Sequence, residues 1–363
     1  MQQKARAQIA LLLSVLLTLG LTGIATLVGC GSSTAKSQSA AVAATVNGTE
    51  VLESDVSDYI TTLRSSYGYE SDEDWANFLA SAGYSAETLR EDIIKNYYAQ
   101  MIVVRQAAEE AGITVDSTAV DNEIASIRSA YGYESDEDWA SILESSGYTE
   151  EQYRSDIELS LLADNLMGIA VSVADPTQEE LQTYADANVA TYYSGKKSSQ
   201  ILFKSDDTET AQTVLAELQQ SSNLSKDFSA AATVHSIDAI SSGDGGNRGW
   251  DCLNTFSTDY SDALGALEVG QMSGLIESDD GYRIILCTDA YAPAAAESID
   301  LTAIPAEIYA QLLIDVTSEV TSTAQNVYMQ GLLSAADIVI NPMPDGLLYD
   351  VDLSATDDSE SAQ

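Results

Sequence analysis

Residues 198–203 (SSQILF) and residues 281–287 (GYRIILC) are two β-rich runs that decide the fold of the chain between them. Their β-branched and apolar side chains are typical of buried strands. The intervening sequence predicts a helix over 210–218, a glycine-rich turn within SSGDGGNRGW (241–250) and a further helix over 260–267. A strand, several helices and three more strands make a small α+β domain of about a hundred residues.

Several short motifs in this segment occur together in a fixed order. They are ILFK (201–204), DFSAAA (227–232), SID (236–238), GGNRGW (245–250), YSDALGAL (260–267), VGQMSG (269–274) and GYRII (281–285). In order and spacing the segment resembles the parvulin-type, or PpiC-type, peptidyl-prolyl cis-trans isomerase domain. The resemblance implies a four-stranded antiparallel sheet with helices over residues 194–293, and rotation of X-Pro peptide bonds as the activity.

The resemblance also assigns the polar residues of a site. Parvulins usually carry two histidines, and their places hold Gln200 and Arg283 in this sequence. The cysteine or aspartate near the middle of the family's domain corresponds to Asp238. The resemblance therefore implies these three residues as the catalytic ones, with both histidines replaced.

The apolar proline pocket of the family usually has methionine, phenylalanine and leucine, and the matching substrate-binding residues are Phe256, Tyr260 and Arg248. Two aromatic rings remain to pack on a proline ring, whereas one wall is cationic. Rotating an X-Pro amide faces a barrier of roughly 18–20 kcal/mol and breaks no covalent bond, so neither a general base nor a cofactor is needed. Two interpretations stay open: an isomerase of weakened or lost activity, and a domain kept for peptide binding.

The N-terminus reads as an export signal. A charged start is followed by a nearly uncharged run (9–28) that ends in the lipobox LVGC, and GSSTAKSQSAAV (31–42) follows as a flexible tether. We therefore expect removal of residues 1–29, a diacylglyceryl group on Cys30, and a lipid anchor at the extracytoplasmic face of the cell membrane. An uncleaved transmembrane helix is the alternative, since the run approaches about 20 residues.

The charge balance is extreme, with Lys+Arg 15 against Asp+Glu 57 and a formal net charge of −42. Repulsion from phosphate groups disfavours nucleic acid and anionic lipid as partners. Cys252 and Cys287 are the cysteines besides Cys30, and the sequence leaves their pairing open. No Cys-x-x-Cys or His/Cys cluster is present in the sequence, so no metal site is expected.

An internal repeat lies in the N-terminal region. LRSSYGYESDEDWANFLASAGYSAETLREDI (63–93) and IRSAYGYESDEDWASILESSGYTEEQYRSDI (127–157) start 64 residues apart and are identical at 20 of 31 positions. In each copy a serine three residues before an aspartate predicts a helix cap, and apolar residues at i, i+3 and i+4 predict one buried face. The ESDED runs lack the EF-hand pattern, which favours helix capping over calcium binding. The aromatic faces are predicted as core, with contact to client proteins as the alternative.

The opening ATVNGTEVLESDV (44–56) resembles the start of the N-terminal chaperone domain of PrsA- and SurA-type foldases. In those proteins a C-terminal segment completes the N-terminal domain. The amphipathic stripe Ile308, Leu312, Val316 and Val320 needs a docking surface, and we expect the N-terminal helices to supply it. The predicted organisation is signal peptide (1–29), tether (30–42), N-terminal chaperone domain (43–175), helical linker (176–193), inserted parvulin-like domain (194–293), C-terminal helix and strand (300–345) and acidic disordered tail (346–363).

These patterns predict a membrane-anchored extracytoplasmic foldase that holds unfolded exported proteins and isomerises their X-Pro bonds. The alternatives are a non-catalytic holdase with a degenerate parvulin domain and an acidic cell-surface scaffold. Isomerase assays separate the first two, and aggregation assays separate both from the third. The identity of the clients and the formation of a homodimer stay open.

Overall fold

The computed structural model describes residues 41–351 except residues 70, 147, 193 and 293–298. The predicted signal peptide, the lipidation site Cys30 and the last residues of the acidic tail lie outside this part of the chain. Within it, no helix combines the length and the apolar character needed to cross a membrane. The described residues form two compact units: those up to 173 together with those from 321 onward, and those from 174 to 320.

The first unit begins with a β-hairpin and continues as helices. Asn47 and Gly48 have φ angles of 49° and 83° at the hairpin turn, as a tight turn between antiparallel strands requires. The elements are β1 (Val42–Val46), β2 (Thr49–Leu52), α1 (Glu53–Ser66), α2 (Asp72–Ala82), α3 (Ala86–Ile93), a π-helical turn (Ile94–Tyr98), α4 (Ala99–Glu110), α5 (Ser117–Tyr131), α6 (Asp136–Ser145) and α7 (Glu150–Ala170).

The rest of the chain contains the second sheet and the long C-terminal helix. Its elements are α8 (Gln178–Ala187), α9 (Val189–Tyr192), β3 (Gly195–Phe203), α10 (Thr208–Gln219), α11 (Leu224–His235), a 3-10 turn (Ser242–Asp244), β4 (Asn247–Trp250), α12 (Thr258–Ala266), β5 (Ile276–Ser278), β6 (Gly281–Tyr291), α13 (Ala306–Ala335) and β7 (Ile338–Ile340).

The sheet of the first unit joins the two ends of the described chain. Its strand order is β2-β1-β7, and all of its pairs are antiparallel. Ala44 lies opposite Ile340, and Val46 lies opposite Ile338. A mostly helical domain built from N-terminal and C-terminal segments, as the resemblance to the foldases implies, is therefore confirmed.

Both copies of the repeat fold with the predicted caps. Ser71 Oγ accepts a hydrogen bond from the Asp74 backbone N–H at 3.0 Å, and Ser135 Oγ accepts the equivalent bond at 3.0 Å in the second copy. Trp75 and Trp139 are buried, as core residues should be. The two copies contribute to different cores, because Trp75 belongs to the main core of the unit and Trp139 to a smaller cluster.

A buried ion pair lies beneath the first copy. The Arg90 side chain is 1% exposed, and it donates hydrogen bonds of 2.6–3.1 Å to the Glu53 carboxylate. The same guanidinium donates to the carbonyl oxygens of Ala43 (3.3 Å) and Asn341 (3.1 Å). Tyr349 Oη donates to Glu53 at 3.0 Å. The pair therefore connects α3 with the first strand and with the C-terminal segment.

Asp156 in α7 makes the stability of the first unit depend on pH. Burial raises the pKa of Asp156 to about 7, against the opposing effects of the Arg105 charge and a hydrogen bond from Tyr148. The folded protein therefore binds a proton that unfolding releases, so stability falls as the pH rises from about 4 to 7.

We expect Asp156→Asn to raise the free energy of unfolding by about 1–3 kcal/mol at pH 8, since the neutral amide removes the cost of burying a charge. Urea unfolding of the wild type and the variant measures this difference. At pH 4 the wild-type carboxyl is already protonated in the folded state, and the two proteins should unfold alike. An equal gain at both pH values would contradict the role of ionisation at Asp156.

The second unit contains an antiparallel sheet of strand order β4-β3-β6-β5. One face carries Ile201 and Ile284, which form a core with α10 and α11. The other face carries Ile285 and Cys287, which pack with Tyr260 of α12. The four-stranded antiparallel sheet with helices, implied by the resemblance to parvulins, is confirmed.

The apolar stripe of α13 packs against partners other than those predicted. Its buried members are Ile308, Leu312 and Val316. They form one core with Leu181 of α8 and Trp250 of β4, so the prediction that this stripe docks on the N-terminal helices is wrong. The physical reason is that α8, interpreted from the sequence as a linker, has an apolar face of its own. Near its C-terminal end the same helix contributes Met329 to the core of the first unit.

Candidate active site

Strands β3 and β6 place polar side chains on the sheet face that α12 covers. Ser198 and Gln200 are 0% and 4% exposed, and they share this face because side chains alternate along a strand. Arg283 of β6 lies opposite Leu202 of β3 and is also buried. Buried polar side chains of this kind need hydrogen-bond partners.

Asp238, in the loop after α11, is the common acceptor of this face. Its Oδ2 accepts from Gln200 Nε2 (2.7 Å), Arg248 Nη1 (3.2 Å) and Ser241 Oγ. Its Oδ1 accepts from the Ile240 backbone N–H at 3.1 Å. Burial by itself raises the pKa of Asp238, but these hydrogen bonds and the Arg248 charge hold that pKa below its ordinary value. The carboxylate is therefore ionised at neutral pH.

The contact with Asp238 fixes the orientation of the Gln200 amide, because only the nitrogen can donate to a carboxylate. The Gln200 Oε1 atom is buried and has no hydrogen-bond partner among the described residues. Within the same part of the chain, Arg248 Nε is likewise buried and unpaired. Asp238 and the side chains that donate to it, Gln200, Ser241 and Arg248, are called the Asp238 cluster. Within it, one acceptor (Gln200 Oε1) and one donor (Arg248 Nε) have no partner among the described residues.

Phe256 and Tyr260 form an aromatic pair on this face, with ring centroids 4.4 Å apart. Each ring has a guanidinium within cation–π range, Arg248 at 5.5 Å from Phe256 and Arg283 at 5.7 Å from Tyr260. Ser198 Oγ and Tyr260 Oη are hydrogen-bonded at 2.9 Å. Burial raises the pKa of Tyr260 to about 12, although Ser198 and the two arginines act in the opposite direction. The phenol stays protonated.

The hairpin of β5 and β6 holds Arg283 in place. Ser278 Oγ accepts hydrogen bonds from Arg283 Nε (3.2 Å) and Nη2 (2.8 Å). Asp280 lies 3.4 Å from the same Nη2, but its side chain is 76% exposed, so this ion pair adds little. The serine therefore positions the arginine beside the Tyr260 ring.

Gly246 allows the glycine-rich loop to approach β3. Its φ of +82° lies in the left-handed region, and a Cβ at this position would stand 2.3 Å from the Gln200 carbonyl oxygen. The Gly246 carbonyl also accepts a hydrogen bond from the Gln200 backbone N–H at 2.8 Å. A side chain at this position would push β3 away and separate Gln200 from Asp238.

The structure brings all six predicted site residues into one series of contacts. The series runs Gln200, Asp238, Arg248, Phe256, Tyr260, Arg283. Three serines that the sequence analysis missed support it, namely Ser198, Ser241 and Ser278. Ser198 could have been found from its two-residue spacing to Gln200 on a strand. The predicted lipidation site Cys30 lies outside the described residues.

The two other cysteines are free thiols. Cys252 is partly buried, and burial raises the pKa of its thiol to about 11, so the thiol stays protonated at neutral pH. Among the residues that the structure describes, no group of three or more His, Cys, Asp or Glu side chains is arranged to hold a metal ion.

Two domain families match this chain. Residues 1–167 match the SurA-like N-terminal domain, and residues 192–289 match the PPIC-type PPIASE domain. The chain therefore combines a SurA-like N-terminal domain with a parvulin-type domain, and the resemblance to PrsA- and SurA-type foldases is confirmed.

Curated relatives carry the name Foldase protein PrsA. The one from Geobacillus kaustophilus is 32% identical over 175 residues, which are 48% of this chain and 56% of the relative. The one from Halalkalibacterium halodurans is 27% identical over 208 residues, 54% of this chain and 60% of the relative. The chain thus spans little more than half the length of these relatives. The solution structure of the parvulin domain of PpiD from E. coli is 32% identical and covers 28% of this chain and 93% of that domain, with a TM-score of 0.24.

Proposed function

We propose that this chain is a foldase that holds unfolded exported proteins and rotates their X-Pro peptide bonds. The observation that carries the proposal is the Phe256–Tyr260 pair beside the Asp238 cluster, within a segment that matches the PPIC-type family. The partly exposed ring of Phe256, backed by the buried ring of Tyr260, offers an apolar surface on which a proline ring can pack. The name of the curated relatives points to the same function.

The polar groups around the rings supply the chemistry of the proposal. Twisting the amide removes the resonance between its nitrogen and its carbonyl group, which changes the hydrogen bonds that the two atoms accept. The guanidinium of Arg248, whose side chain is 23% exposed, lies beside the Phe256 ring and is placed to donate to the amide nitrogen, which accepts more strongly in the twisted amide than in the planar one. Only such a difference accelerates the rotation. Asp238 orients Gln200 and Arg248 without exchanging a proton.

An isomerisation assay of a proline peptide with the full chain tests this function. We expect the wild type to accelerate cis-trans exchange, and Phe256→Ala to reduce the catalysed rate at least about tenfold, because the proline ring loses its packing surface. Val234→Ala, at a position that is 74% exposed on α11, is the matched control and should have no effect. A folded wild type that leaves the spontaneous rate unchanged would contradict the proposal.

The residues at the two positions where parvulins usually carry histidines favour a second candidate function, a peptide-binding holdase without catalysis. Gln200 and Arg283 keep hydrogen-bond partners but cannot form a histidine pair. If the domain is such a holdase, proline peptides bind without faster exchange. The double change Gln200→His with Arg283→His should then raise the isomerase rate. If the folded double variant shows no increase in isomerase rate, Arg248 in the pocket wall is the residue that limits the rate.

The proposed location is the extracytoplasmic face of the membrane, with Cys30 lipidated. This part of the proposal rests on the LVGC motif and the tether that follows it. Intact mass of the membrane fraction is the test, and a chain that retains residues 1–29 would refute it. The signal peptide (1–29), the tether (30–42) and the parvulin-like domain (194–293) keep their sequence-derived bounds in the same proposal.

A further inference from the structure

The internal repeat allows the same surface to be compared twice within the first unit. A residue of the first copy corresponds to the residue 64 positions later, and the correspondence extends from α1–α3 to α5–α7. Arg64 and Arg128 make equivalent hydrogen bonds, each donating Nε to the carbonyl oxygen of the tyrosine five residues later. Each guanidinium also lies over the tryptophan of its own copy, at 5.4 and 5.7 Å.

In the first copy this surface is a groove that holds a turn of the chain itself, closed by a hydrogen bond from the Asp350 backbone N–H to the Leu347 carbonyl oxygen at 3.0 Å. Arg64 Nη1 donates to the Leu348 carbonyl oxygen at 2.9 Å, and Trp75 Nε1 donates to the Tyr349 carbonyl oxygen at 3.1 Å. The Tyr349 side chain is 0% exposed and reaches the buried pair of Arg90 and Glu53. Two main-chain carbonyls and one aromatic side chain therefore fill the first groove.

In the second copy the corresponding surface is open. A cavity of about 460 Å³ is lined by residues that include Ile124, Ala125, Arg128 and Arg154. Arg154 is the counterpart of Arg90, but its side chain is 35% exposed against 1%. Within the described residues nothing takes the place of Leu348, and no partner accepts from Arg128 Nη1. We call this cavity the second groove.

The second groove keeps the main recognition groups of the first. Arg154 pairs with Asp121 at 2.5 Å, one helical turn after the position equivalent to Glu53, so a carboxylate and a guanidinium again lie at the floor. The indole N–H of Trp139 donates to Glu150 at 2.8 Å, where the first copy uses a main-chain carbonyl. The donor at Arg128 therefore remains for a main-chain carbonyl from outside.

We propose that the second groove binds a turn of an unfolded polypeptide that carries an aromatic side chain two residues after an aliphatic one. In the first groove these side chains are Tyr349 and Leu347, which are 0% and 9% exposed, whereas Leu348 is 79% exposed. The occupant follows from the first groove, which holds the sequence Leu-Leu-Tyr-Asp-Val (347–351) through its backbone and its tyrosine. The Arg128 guanidinium donates a hydrogen bond to a peptide carbonyl oxygen, and the aromatic side chain enters the cavity toward Asp121 and Arg154. The site rests on the chaperone part of the proposed function and is independent of isomerisation.

A labelled peptide of residues 346–351, which contains no proline, tests the site by fluorescence anisotropy with the full chain. We expect saturable binding at one site, and a version with Tyr349→Ser in the peptide should bind at least about tenfold more weakly. Arg128→Ala in the protein should also weaken binding at least about tenfold, because a charged hydrogen bond is lost. Ala125→Trp should abolish binding by filling the groove from an exposed position, whereas Ser141→Trp, exposed on α6 and outside the cavity lining, should not.

The matched variant Arg64→Ala separates the two grooves. It loosens the segment over the first copy and should leave peptide affinity unchanged. Peptide binding that persists in Ala125→Trp, or that is lost only in Arg64→Ala, overturns the proposal. So does a dimer that Ala125→Trp dissociates, since the occupant would then be a second copy of the chain. Binding without suppression of client aggregation would refute the chaperone function and leave the groove assignment intact.

Discussion

Arg90→Met is expected to lower the free energy of unfolding by about 3–5 kcal/mol, because it leaves the Glu53 carboxylate buried without its counter-charge. The Arg90 side chain is 1% exposed and that of Glu53 is 7% exposed, so water does not replace the lost partner. Methionine keeps most of the side-chain volume, which separates the electrostatic effect from the effect of a cavity. The variant also loses the hydrogen bonds to Ala43 and Asn341, and with them the attachment of the C-terminal segment. Urea unfolding followed by circular dichroism measures the change.

Arg154→Met is the matched control, since the repeat places Arg154 at the equivalent position of the second copy. Its pair with Asp121 has exposed fractions of 35% and 59%, and surface pairs of this kind contribute about 0–1 kcal/mol. We therefore expect less than about 1 kcal/mol of destabilisation. An equal decrease in the free energy of unfolding in the two variants would show that burial does not determine the contribution of the Arg90–Glu53 pair.

Asp238→Ala is expected to reduce the proposed isomerase rate about 10- to 100-fold. The change removes the acceptor shared by Gln200, Ser241 and Arg248, and each hydrogen bond to a charged group contributes about 1.5–3 kcal/mol. Without it, the Arg248 guanidinium is free to move away from the Phe256 ring. Rate measurements on a proline peptide are the readout. Asp244→Ala should leave the rate unchanged, because the Asp244 side chain lies in the same loop but is exposed and, among the described residues, accepts a hydrogen bond only from Asn247.

The pH dependence of stability gives a direct readout of the ionisation of the same residue. Because its folded pKa is lowered, Asp238 contributes stability that is present above its unfolded pKa of about 4 and is lost as the pH falls through the folded value. The difference in unfolding free energy between wild type and Asp238→Asn should therefore shrink below about pH 4. A difference that stays constant down to pH 2.5 would contradict an ionised Asp238.

The sequence by itself determined the features that depend on local pattern. The strands that contain Ile201 and Ile284 follow from β-branched runs, and the helix caps at Ser71 and Ser135 follow from the spacing of a serine and an aspartate. The six candidate site residues were chosen from the order of the parvulin motifs along the chain, and the structure places them in contact with one another, while their roles stay a prediction. These signals lie within a few residues of the atoms that they position, so no knowledge of distant contacts is required.

Tertiary structure alone decided which surfaces cover these elements. The pairing of Arg90 with Glu53, and of both with Tyr349, joins residues far apart in the chain, and no local pattern indicates it. The apolar stripe of α13 is a second example. Its spacing predicts that the stripe is buried but does not show whether its packing partner is α8 or the N-terminal helices. The repeat is the most direct example. Two similar segments differ in their surroundings, because residues 347–351 cover the first copy and no described residue covers the second in the same way. Hydrophobic burial specifies that a face is covered without specifying by what.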